Sequence, residues 1–294
     1  MLNGSMVDAI DPFLRALIER HNDAELHSAD ILTRGVDTVT ARFRLFAELN
    51  NFLPQERRQR EFAAECARAA TAKHMIEALG VPHTEVAIVL INGEPCGLDR
   101  MLLNGDIISV YPTFMQFDRV EVHSLAPLPP GRPRFIADAH VGALARMLRM
   151  ADFDTLYDNR YDDPDIAAIA EREQRIVLTR DRDLLKRRSV AHGCYVHVLK
   201  APEQFREIVR RLRLEALAHP FTLCLHCNAP LSAVEKEQVE QRLPPSVRAL
   251  QEDFSLCHQC DRVFWKGSHW KSICAVLDWA QCSAGGRPAS DENA

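Results

Sequence analysis

The stretch 135-FIADAHVGALARMLRMADFDTLYD-158 and its continuation 161-YDDPDIAAIAEREQRIVLTRDRDLL-185 alternate short apolar segments with longer amphipathic ones. Short apolar runs favour buried strands, and apolar residues at i and i+4, such as Leu144 and Leu148, favour helices. Strands that alternate with helices are typical of a parallel sheet covered by helices. We therefore predict an α/β domain over residues 134–220. Its strands are predicted at 133–137, 176–179 and 195–199, and its helices at 142–150, 165–173 and 202–218.

Aspartates follow the first two predicted strands. Asp138 comes directly after the first strand, Asp181 follows the second, and the acidic segment 162–165 precedes a predicted helix. Because the carboxyl ends of parallel strands meet at one edge of a sheet, we expect these side chains to converge there. Neighbouring carboxylates raise each other's pKa unless a cation neutralises them, and Mg²⁺ or Mn²⁺ prefers such oxygen ligands. The candidate catalytic residues are Asp138, Asp163, Asp181, Asp162, Asp165 and Asp183.

The same aspartates have a purely structural interpretation. Asp163 followed by Pro164 is a common start of a helix, and aspartates often cap helices or end strands. A bound metal would orient a water for attack on a phosphodiester. On spacing alone, this metal site and a set of helix caps both stay open.

Basic residues surround the aspartates. Arg146 and Arg149 share a helix face at i and i+3, and Arg180 and Arg182 flank Asp181. Residues 127–220 hold 17 Lys/Arg against 14 Asp/Glu, in a chain whose net charge is −5. Arginine binds phosphates bidentately, so these four arginines are predicted to contact a nucleic-acid backbone. A solvated charged surface is the alternative for any one of them.

Two Cys-x-x-Cys pairs give the most specific signal in the chain. Each pair brings two thiolates to one centre, and four thiolates complete the tetrahedral shell of a closed, structural zinc site. His226 and His258 lie inside the pairs and are alternative ligands. A helix is predicted between the pairs, at 233–242, and the other cysteines are predicted to be free thiols. The predicted zinc ligands are Cys224, Cys227, Cys257 and Cys260.

The segment 263-VFWKGSHWK-271 follows the second pair. Aromatic rings interleaved with basic residues can stack bases and neutralise phosphates. Equally, Phe264 and Trp265 can cover the small core of a zinc ribbon. Lys266 and His269 are the candidates for nucleic-acid contact. The zinc ribbon is placed at residues 221–275.

The N-terminal half predicts a second, smaller domain at residues 38–118. Residues 39–45 alternate like a strand, 61–79 are alanine-rich and predict a helix, and 86–91 predict a buried strand that ends at the Asn92-Gly93 turn. A last strand at 107–111 completes an α+β roll. The proline-rich stretch 126–133 predicts a linker, 1–37 an accessory extension with a helix at 7–27, and 283–294 a disordered tail.

Composition excludes several classes of protein. Hydrophobic residues make up 47% of the 294 residues and charged residues 26%, as in globular proteins. The longest apolar run, 86–91, is too short to span a membrane, and no basic residue precedes Arg15 as a secretory signal would require. We expect a cytoplasmic protein without a membrane partner.

Two resemblances to known families add to these expectations. The stretches 135–158 and 161–185, together with the two cysteine pairs, resemble the Mut-seven C-terminal RNase family, a PIN-like nuclease domain fused to a zinc ribbon. Three N-terminal segments resemble ubiquitin-like β-grasp domains related to sulfur carriers. These segments are 40-TARFRLFAELNNFLP-54, 78-ALGVPHTEVAIVLINGEP-95 and 102-LLNGDIISVYPTF-114.

The resemblance implies a multidomain chain that acts as a metal-dependent ribonuclease, with single-stranded RNA as the expected substrate and with Mg²⁺ or Mn²⁺ at Asp138, Asp163 and Asp181. His140 departs from the family pattern, in which apolar residues are commoner. Sulfur carriers end in Gly-Gly, whereas this chain continues past residue 114, so the β-grasp domain implies a protein partner instead. The alternative is a non-catalytic RNA- or protein-binding adaptor on a PIN-like scaffold.

Overall fold

The structure is a computed structural model that describes residues 38–112, 125, 128–219, 221–267, 270 and 274. The chain divides into two compact units, 1–127 and 128–294, and each is described by itself. The predicted helix at 7–27, the predicted tail at 283–294 and His269 lie outside the described residues. No helix of the described residues is both long enough and apolar enough to cross a membrane.

The N-terminal unit is a β-grasp domain. Its sheet has the order β2-β1-β5-β3-β4, in which β1 runs parallel to β5 and all other pairs are antiparallel. The helix α1 follows β2, and the buried side chains of β1, β3 and β5 form the core of the domain. The elements are β1 (Thr38–Leu45), β2 (Phe62–Ala67), α1 (Ala72–Ala78), β3 (Val86–Ile91), β4 (Glu94–Cys96) and β5 (Ile107–Pro112).

The helix predicted over 61–79 is only partly present. Phe62–Ala67 is a strand that pairs antiparallel with β1 from Phe43↔Phe62 to Thr38↔Ala67. The helical preference of its alanines amounts to tenths of a kcal/mol per residue, and a complete row of strand pairing outweighs it. The helix begins only after Thr71, whose hydroxyl accepts a hydrogen bond from the N–H of His74.

The predicted turn at Asn92-Gly93 is confirmed. Asn92 has φ 53° and Gly93 has φ 87°, and the turn joins β3 to β4 in an antiparallel hairpin. Two successive positive φ values are what a two-residue hairpin turn requires, and Asn-Gly meets this need with little strain.

The C-terminal unit begins with an α/β domain. Four parallel strands lie in the order β7-β6-β8-β9, so β6 and β8 are central. Helices α3 and α4 pack on one side of the sheet through a buried cluster that includes Ile166, Leu184 and Leu185. The elements are β6 (Phe135–Ala137), α2 (Gly142–Met150), β7 (Thr155–Leu156), α3 (Asp163–Glu173), β8 (Ile176–Thr179), α4 (Arg182–Lys186), β9 (Gly193–Tyr195) and α5 (Ala201–Leu212).

The predicted elements of the α/β domain differ from the observed ones at three places. The strand β7 has two residues, too few to produce a period in the sequence. The last strand is Gly193–Tyr195, so the strand predicted at 195–199 overlaps it only at Tyr195. The final helix ends at Leu212, because Arg213 adopts a left-handed conformation with φ 51° and caps it.

The C-terminal part of this unit is a small three-stranded antiparallel sheet in the order β10-β11-β12. Val239, Leu243 and Phe254 form its buried core, and the side chain of Trp265 packs against them. The helix predicted over 233–242 is confirmed for its larger part, since Lys236–Val239 is an α-helix and Glu240–Arg242 a 3-10 helix, whereas residues 233 and 234 belong to β10 and pair with β11. The elements are β10 (Ser232–Val234), α6 (Lys236–Val239), α7 (Pro245–Leu250), β11 (Phe254–Cys257) and β12 (Arg262–Trp265).

Candidate zinc centre and acidic site

The four cysteines of the two pairs meet at one point. The sulfur atoms of Cys224 and Cys260 lie 3.6 Å apart, and those of Cys227 and Cys257 lie 3.4 Å apart. All four lie within 4.8 Å of one another. A tetrahedron with Zn–S bonds of about 2.3 Å has sulfur–sulfur edges of about 3.8 Å, so the cluster fits Zn²⁺. Neither His226 nor His258 belongs to this cluster.

Two tight turns position the thiols. In the first, the N–H groups of His226 and Cys227 point at the Cys224 sulfur, at 3.4 and 3.5 Å. In the second, Cys257 ends β11 and Cys260 precedes β12, so a hairpin brings the pair to the same place. N–H groups directed at sulfur stabilise the thiolate form that a metal binds.

The electrostatics of the cluster favour a cation. Burial raises the pKa of the Cys257 thiol, but hydrogen bonds from the Cys260 backbone and the Cys227 side chain outweigh it and lower that pKa to about 7. Burial and the neighbouring sulfurs together raise the pKa of Cys260 to about 12. Four adjacent thiols therefore do not all ionise on their own, and a bound metal removes this conflict.

The other cysteines behave differently from one another. Cys66 and Cys96 are free thiols, as predicted, and Cys194 forms no disulfide, whereas Cys274 is disulfide-bonded, so its prediction as a free thiol was wrong. A disulfide requires only that a second sulfur come within bonding distance, which spacing along the chain does not reveal. Burial raises the pKa of the Cys66 thiol and keeps it protonated.

Arg149 holds the first cysteine turn against the α/β domain. Its side chain is only 3% exposed. Its guanidinium donates to the carbonyl oxygens of Thr155, Leu225 and His226, at 2.8, 3.0 and 2.8 Å. Burial lowers the pKa of Arg149, against the charges of the cysteines, which raise it. The guanidinium is buried and its Nε and Nη1 groups serve this contact, so Arg149 is not among the residues we assign to RNA.

Asn228 makes a second link between the cysteine turn and the sheet. Its side-chain amide donates to Asp154 at 2.6 Å and accepts from the backbone N–H of Thr155 at 3.1 Å. The guanidinium of Arg175 donates two hydrogen bonds to the Asp154 carboxylate, each 2.8 Å long. Burial opposes ionisation of Asp154, but the hydrogen bonds from Arg175 and Asn228 outweigh it and lower the pKa of Asp154. The sequence gives no sign of this link, since a single asparagine produces no periodic or motif signal.

Asp138 lies where β6 ends and is only 6% exposed. The hydroxyl of Thr179, at the end of β8, donates to its carboxylate. The backbone N–H of His140 donates to the same carboxylate at 2.8 Å, and the His140 ring Nδ1 lies 2.9 Å from it. The carboxylate is thus held at the carboxyl edge of the sheet, as predicted from the strand pattern.

Thr179 connects Asp138 to Asp181. While it donates to Asp138, its oxygen accepts a hydrogen bond from the backbone N–H of Asp181, 2.9 Å away. Thr179 is fully buried, so this bridge is shielded from water. The side chain of Asp181 also accepts from the N–H of Asp183 at 2.7 Å and caps α4. The motif of a hydroxyl residue two positions before an aspartate was visible in the sequence, although its role was not.

The remaining aspartates are engaged by their neighbours. An aspartate caps α3, but it is Asp162, which forms a reciprocal capping box with Asp165, rather than Asp163 as the structural interpretation predicts. Asp163 lies 3.5 Å from Arg187, and Asp183 lies 3.1 Å from Lys186. Among the described residues, the only group of three or more potential ligands within metal-binding distance is the cysteine cluster. The predicted acidic metal site therefore stays a prediction.

Family comparisons agree with the two-unit organisation. Residues 133–277 match the family described as "Mut7-C RNAse domain", and residues 38–118 match "Mut7-C ubiquitin". The chain therefore contains a Mut7-C ubiquitin domain followed by a Mut7-C RNAse domain. The Mut7-C RNAse domain includes the acidic edge and the cysteine cluster, and the Mut7-C ubiquitin domain coincides with the β-grasp unit.

Two solved structures are similar to part of the chain. One is the crystal structure of H. volcanii small archaeal modifier protein 1, with 22% identity and a TM-score of 0.22 over 25% of this chain and 97% of that chain. The other is a putative molybdopterin converting factor, subunit 1, from Pyrococcus furiosus, with 20% identity and a TM-score of 0.21 over 25% and 97% of the two chains. No curated protein matched the chain.

The basic residues of the Mut7-C RNAse domain that are predicted to bind RNA differ in how far their side chains are exposed and engaged by other groups. Arg180 donates to the carbonyl oxygens of Val196, His197 and Val198, all within 2.9 Å, and so supports the loop after β9. Arg146 is exposed on α2, and Arg182 is half-buried beside the ring of Tyr195.

In the ribbon, Lys266 lies 3.9 Å from Asp253 and is half-buried. Its neighbour Trp265 packs against the ribbon core. Of the two sequence interpretations of this aromatic segment, the core role is therefore observed for Trp265.

Proposed function

We propose that this Mut7-C protein is a metal-dependent ribonuclease whose acidic edge holds Mg²⁺ or Mn²⁺. Asp138, Asp163 and Asp181 would hold the metal, with Asp162, Asp165 and Asp183 beside them. One observation carries the proposal: a single buried hydroxyl, that of Thr179, joins Asp138 to the backbone of Asp181 at the carboxyl edge of the sheet. The bridge supports the proposal because it ties Asp138 and the backbone of Asp181 to the ends of the two central strands, where a shared site would form.

The donor chemistry fits a hard cation. Asp138 is a nearly buried carboxylate, and burial of a negative charge is unfavourable unless hydrogen bonds or a cation compensate it. The oxygen donors of aspartates are the ligands that Mg²⁺ and Mn²⁺ prefer. When bound, the metal would orient a water and stabilise the charge that develops on the phosphate.

The residues of the chain have separate roles around this centre. Thr179 keeps Asp138 in place, and the backbone N–H of His140 holds the same carboxylate from the other side. Arg146 and Arg182 would contact RNA phosphates, with Lys266 and His269 as the contacts from the ribbon. The zinc ribbon would stabilise the domain, and the Mut7-C ubiquitin domain would bind a protein partner.

A cleavage assay on single-stranded RNA with Mn²⁺ tests the proposal. We expect the parent chain to cleave and Asp138→Asn and Asp181→Asn to lose roughly 100-fold or more in rate, because a catalytic metal contributes several kcal/mol to the transition state. The asparagine oxygen can still accept the hydrogen bond of Thr179, so the Asp138 variant is expected to fold. Asp261→Asn is the matched control, since the Asp261 side chain is 79% exposed, ion-paired with Arg242 and outside the acidic set.

The second candidate is a non-catalytic RNA-binding adaptor on the same scaffold. The observation that favours it is the ion pair between Asp163 and Arg187, which engages the third acidic residue without a metal. RNA binding by the parent without cleavage in Mg²⁺ or Mn²⁺ would support the adaptor and refute the ribonuclease.

A further inference from the structure

Tyr157 lies unusually close to the first residue of α2. A Cβ atom placed on Gly142 would lie 2.3 Å from Cζ of Tyr157 and 2.4 Å from its hydroxyl oxygen. No real Cβ tolerates such contacts, so any other residue at position 142 would displace the ring. Glycine makes a helix less stable than alanine does. The close approach of the phenol to position 142 therefore comes with a less stable helix.

The ring of Tyr157 is not part of the hydrophobic core of the α/β domain. Tyr157 is half-buried, and no hydrogen bond joins its hydroxyl to another residue in the described part of the chain. By contrast, Tyr161 and Tyr195 pack against the buried cluster beneath α3 and α4. Tyr157 therefore keeps a polar, partly accessible aromatic group at the surface.

The position of Tyr157 is at the acidic edge. It directly follows β7, and β7 pairs in parallel with β6, the strand that ends at Asp138. Gly142 begins α2, which follows the same strand β6. The phenol therefore lies at the carboxyl edge of the sheet. It follows the strand next to β6, and Asp138 follows β6 itself.

The support for this strand end is rigid. The buried guanidinium of Arg149 holds the Thr155 carbonyl, and Asn228 holds the Thr155 N–H, so both backbone groups of the residue two before Tyr157 are fixed. A ring on a fixed strand end, with its hydroxyl end over a glycine, has little freedom to lose when a ligand binds.

We propose that Tyr157 is a substrate-positioning residue that stacks on a nucleobase of the RNA next to the phosphate held at the acidic edge. The inference rests on the proposed function for the phosphate site. Nucleobases stack on aromatic side chains with little preference among the four bases, so the contact would position RNA without selecting a sequence. Removal of one such stack weakens binding by about 5- to 150-fold.

Single-stranded RNA carrying 2-aminopurine tests this contact, because stacking on an aromatic ring quenches the fluorescence of that base. Binding is followed by anisotropy and stacking by quenching, without added Mg²⁺ or Mn²⁺ so that the RNA stays intact. We expect Tyr157→Phe to keep both signals, and Tyr157→Leu to lose the quenching and about 5- to 150-fold in affinity. Gly142→Ala keeps the phenol but displaces it, and is expected to resemble Tyr157→Leu.

The outcomes separate the inference from the proposed function. Parent-like affinity and quenching in a Tyr157→Leu protein that melts at the parent temperature would overturn the inference and leave the ribonuclease proposal intact. RNA binding with quenching but without metal-dependent cleavage would refute the ribonuclease and leave the stacking contact in place. Because the Phe and Leu variants do not alter Gly142, the test holds even if Gly142→Ala fails to fold.

Discussion

The cysteine cluster and the acidic edge lie in the same Mut7-C RNAse domain, but their ligands are arranged differently. The four sulfur atoms lie within 4.8 Å of one another before any metal is considered. The aspartates instead cap helices, pair with Arg187 or Lys186, or accept the hydroxyl of Thr179. Thiols have weak alternative partners, whereas a carboxylate readily finds N–H groups and cations nearby. Spacing therefore predicts a sulfur site far better than an oxygen site.

The largest effect is expected from loss of the metal at the cysteine cluster. Cys257→Ser removes one of four ligands, and structural zinc contributes on the order of 10 kcal/mol to the folding of small zinc domains. We expect loss of about one equivalent of zinc per chain and rapid amide exchange across β10, β11 and β12. Zinc analysis and hydrogen exchange measure the two effects. Cys194→Ser, at a buried thiol outside the cluster, is the control and should keep its zinc.

The next effect concerns the contact between the cluster and the sheet. Arg149→Met fills a similar volume but leaves the carbonyl oxygens of Thr155, Leu225 and His226 without their donor. We expect a loss of about 3 kcal/mol in the free energy of unfolding, because buried hydrogen bonds to charged groups contribute roughly 1.5–3 kcal/mol each and do not add fully. Urea unfolding measures it.

The control for this change is Arg146→Met on the same helix, where the arginine is exposed. A surface substitution of this kind is expected to change stability by less than about 0.5 kcal/mol. Equal effects of the two substitutions would show that the ribbon is not held by the guanidinium of Arg149.

A smaller effect depends on pH. The pKa of Asp154 is lowered in the folded protein, since the hydrogen bonds from Arg175 and Asn228 outweigh its burial. A group with a lowered folded-state pKa contributes stability above its unfolded pKa of about 3.9, and this contribution is lost as the pH falls through the folded-state value. We expect stability in the parent to fall below about pH 4, and to fall less in Asp154→Asn. Acid titration of thermal melting compares the two, and identical curves would contradict the assignment.

The smallest effect is expected at the acidic segment 162–165 and tests whether Asp162 caps α3. Asp162→Ala removes the capping side chain from the N–H of Asp165, and loss of such a cap costs about 1 kcal/mol. Urea unfolding of the variant, compared with Asp183→Ala at an exposed side chain, measures the difference. A full loss of Mn²⁺-dependent cleavage in Asp162→Ala, with unchanged stability, would instead assign Asp162 to the metal.

The sequence by itself determined the features that depend on neighbouring residues. The alternation of strands and helices over 135–185, the turn at Asn92-Gly93 and the zinc-type spacing of Cys224, Cys227, Cys257 and Cys260 all follow from local periodicity and short covalent spacing. In each, the physical cause lies within one strand or helix, one turn or one Cys-x-x-Cys pair. The predictions at these positions were confirmed by the strands, the turn and the sulfur cluster.

Only the tertiary structure decided what depends on distant partners. Phe62–Ala67 became a strand because β1 lies beside it, although its alanines favour a helix. Arg149 was predicted to bind phosphate and instead donates to the carbonyls of Leu225 and His226, in a turn far along the chain that only folding brings near. The place of Tyr157 over Gly142 likewise depends on two elements that meet in space. Such contacts leave no periodic pattern, because the free energy that selects them arises when the surfaces pack.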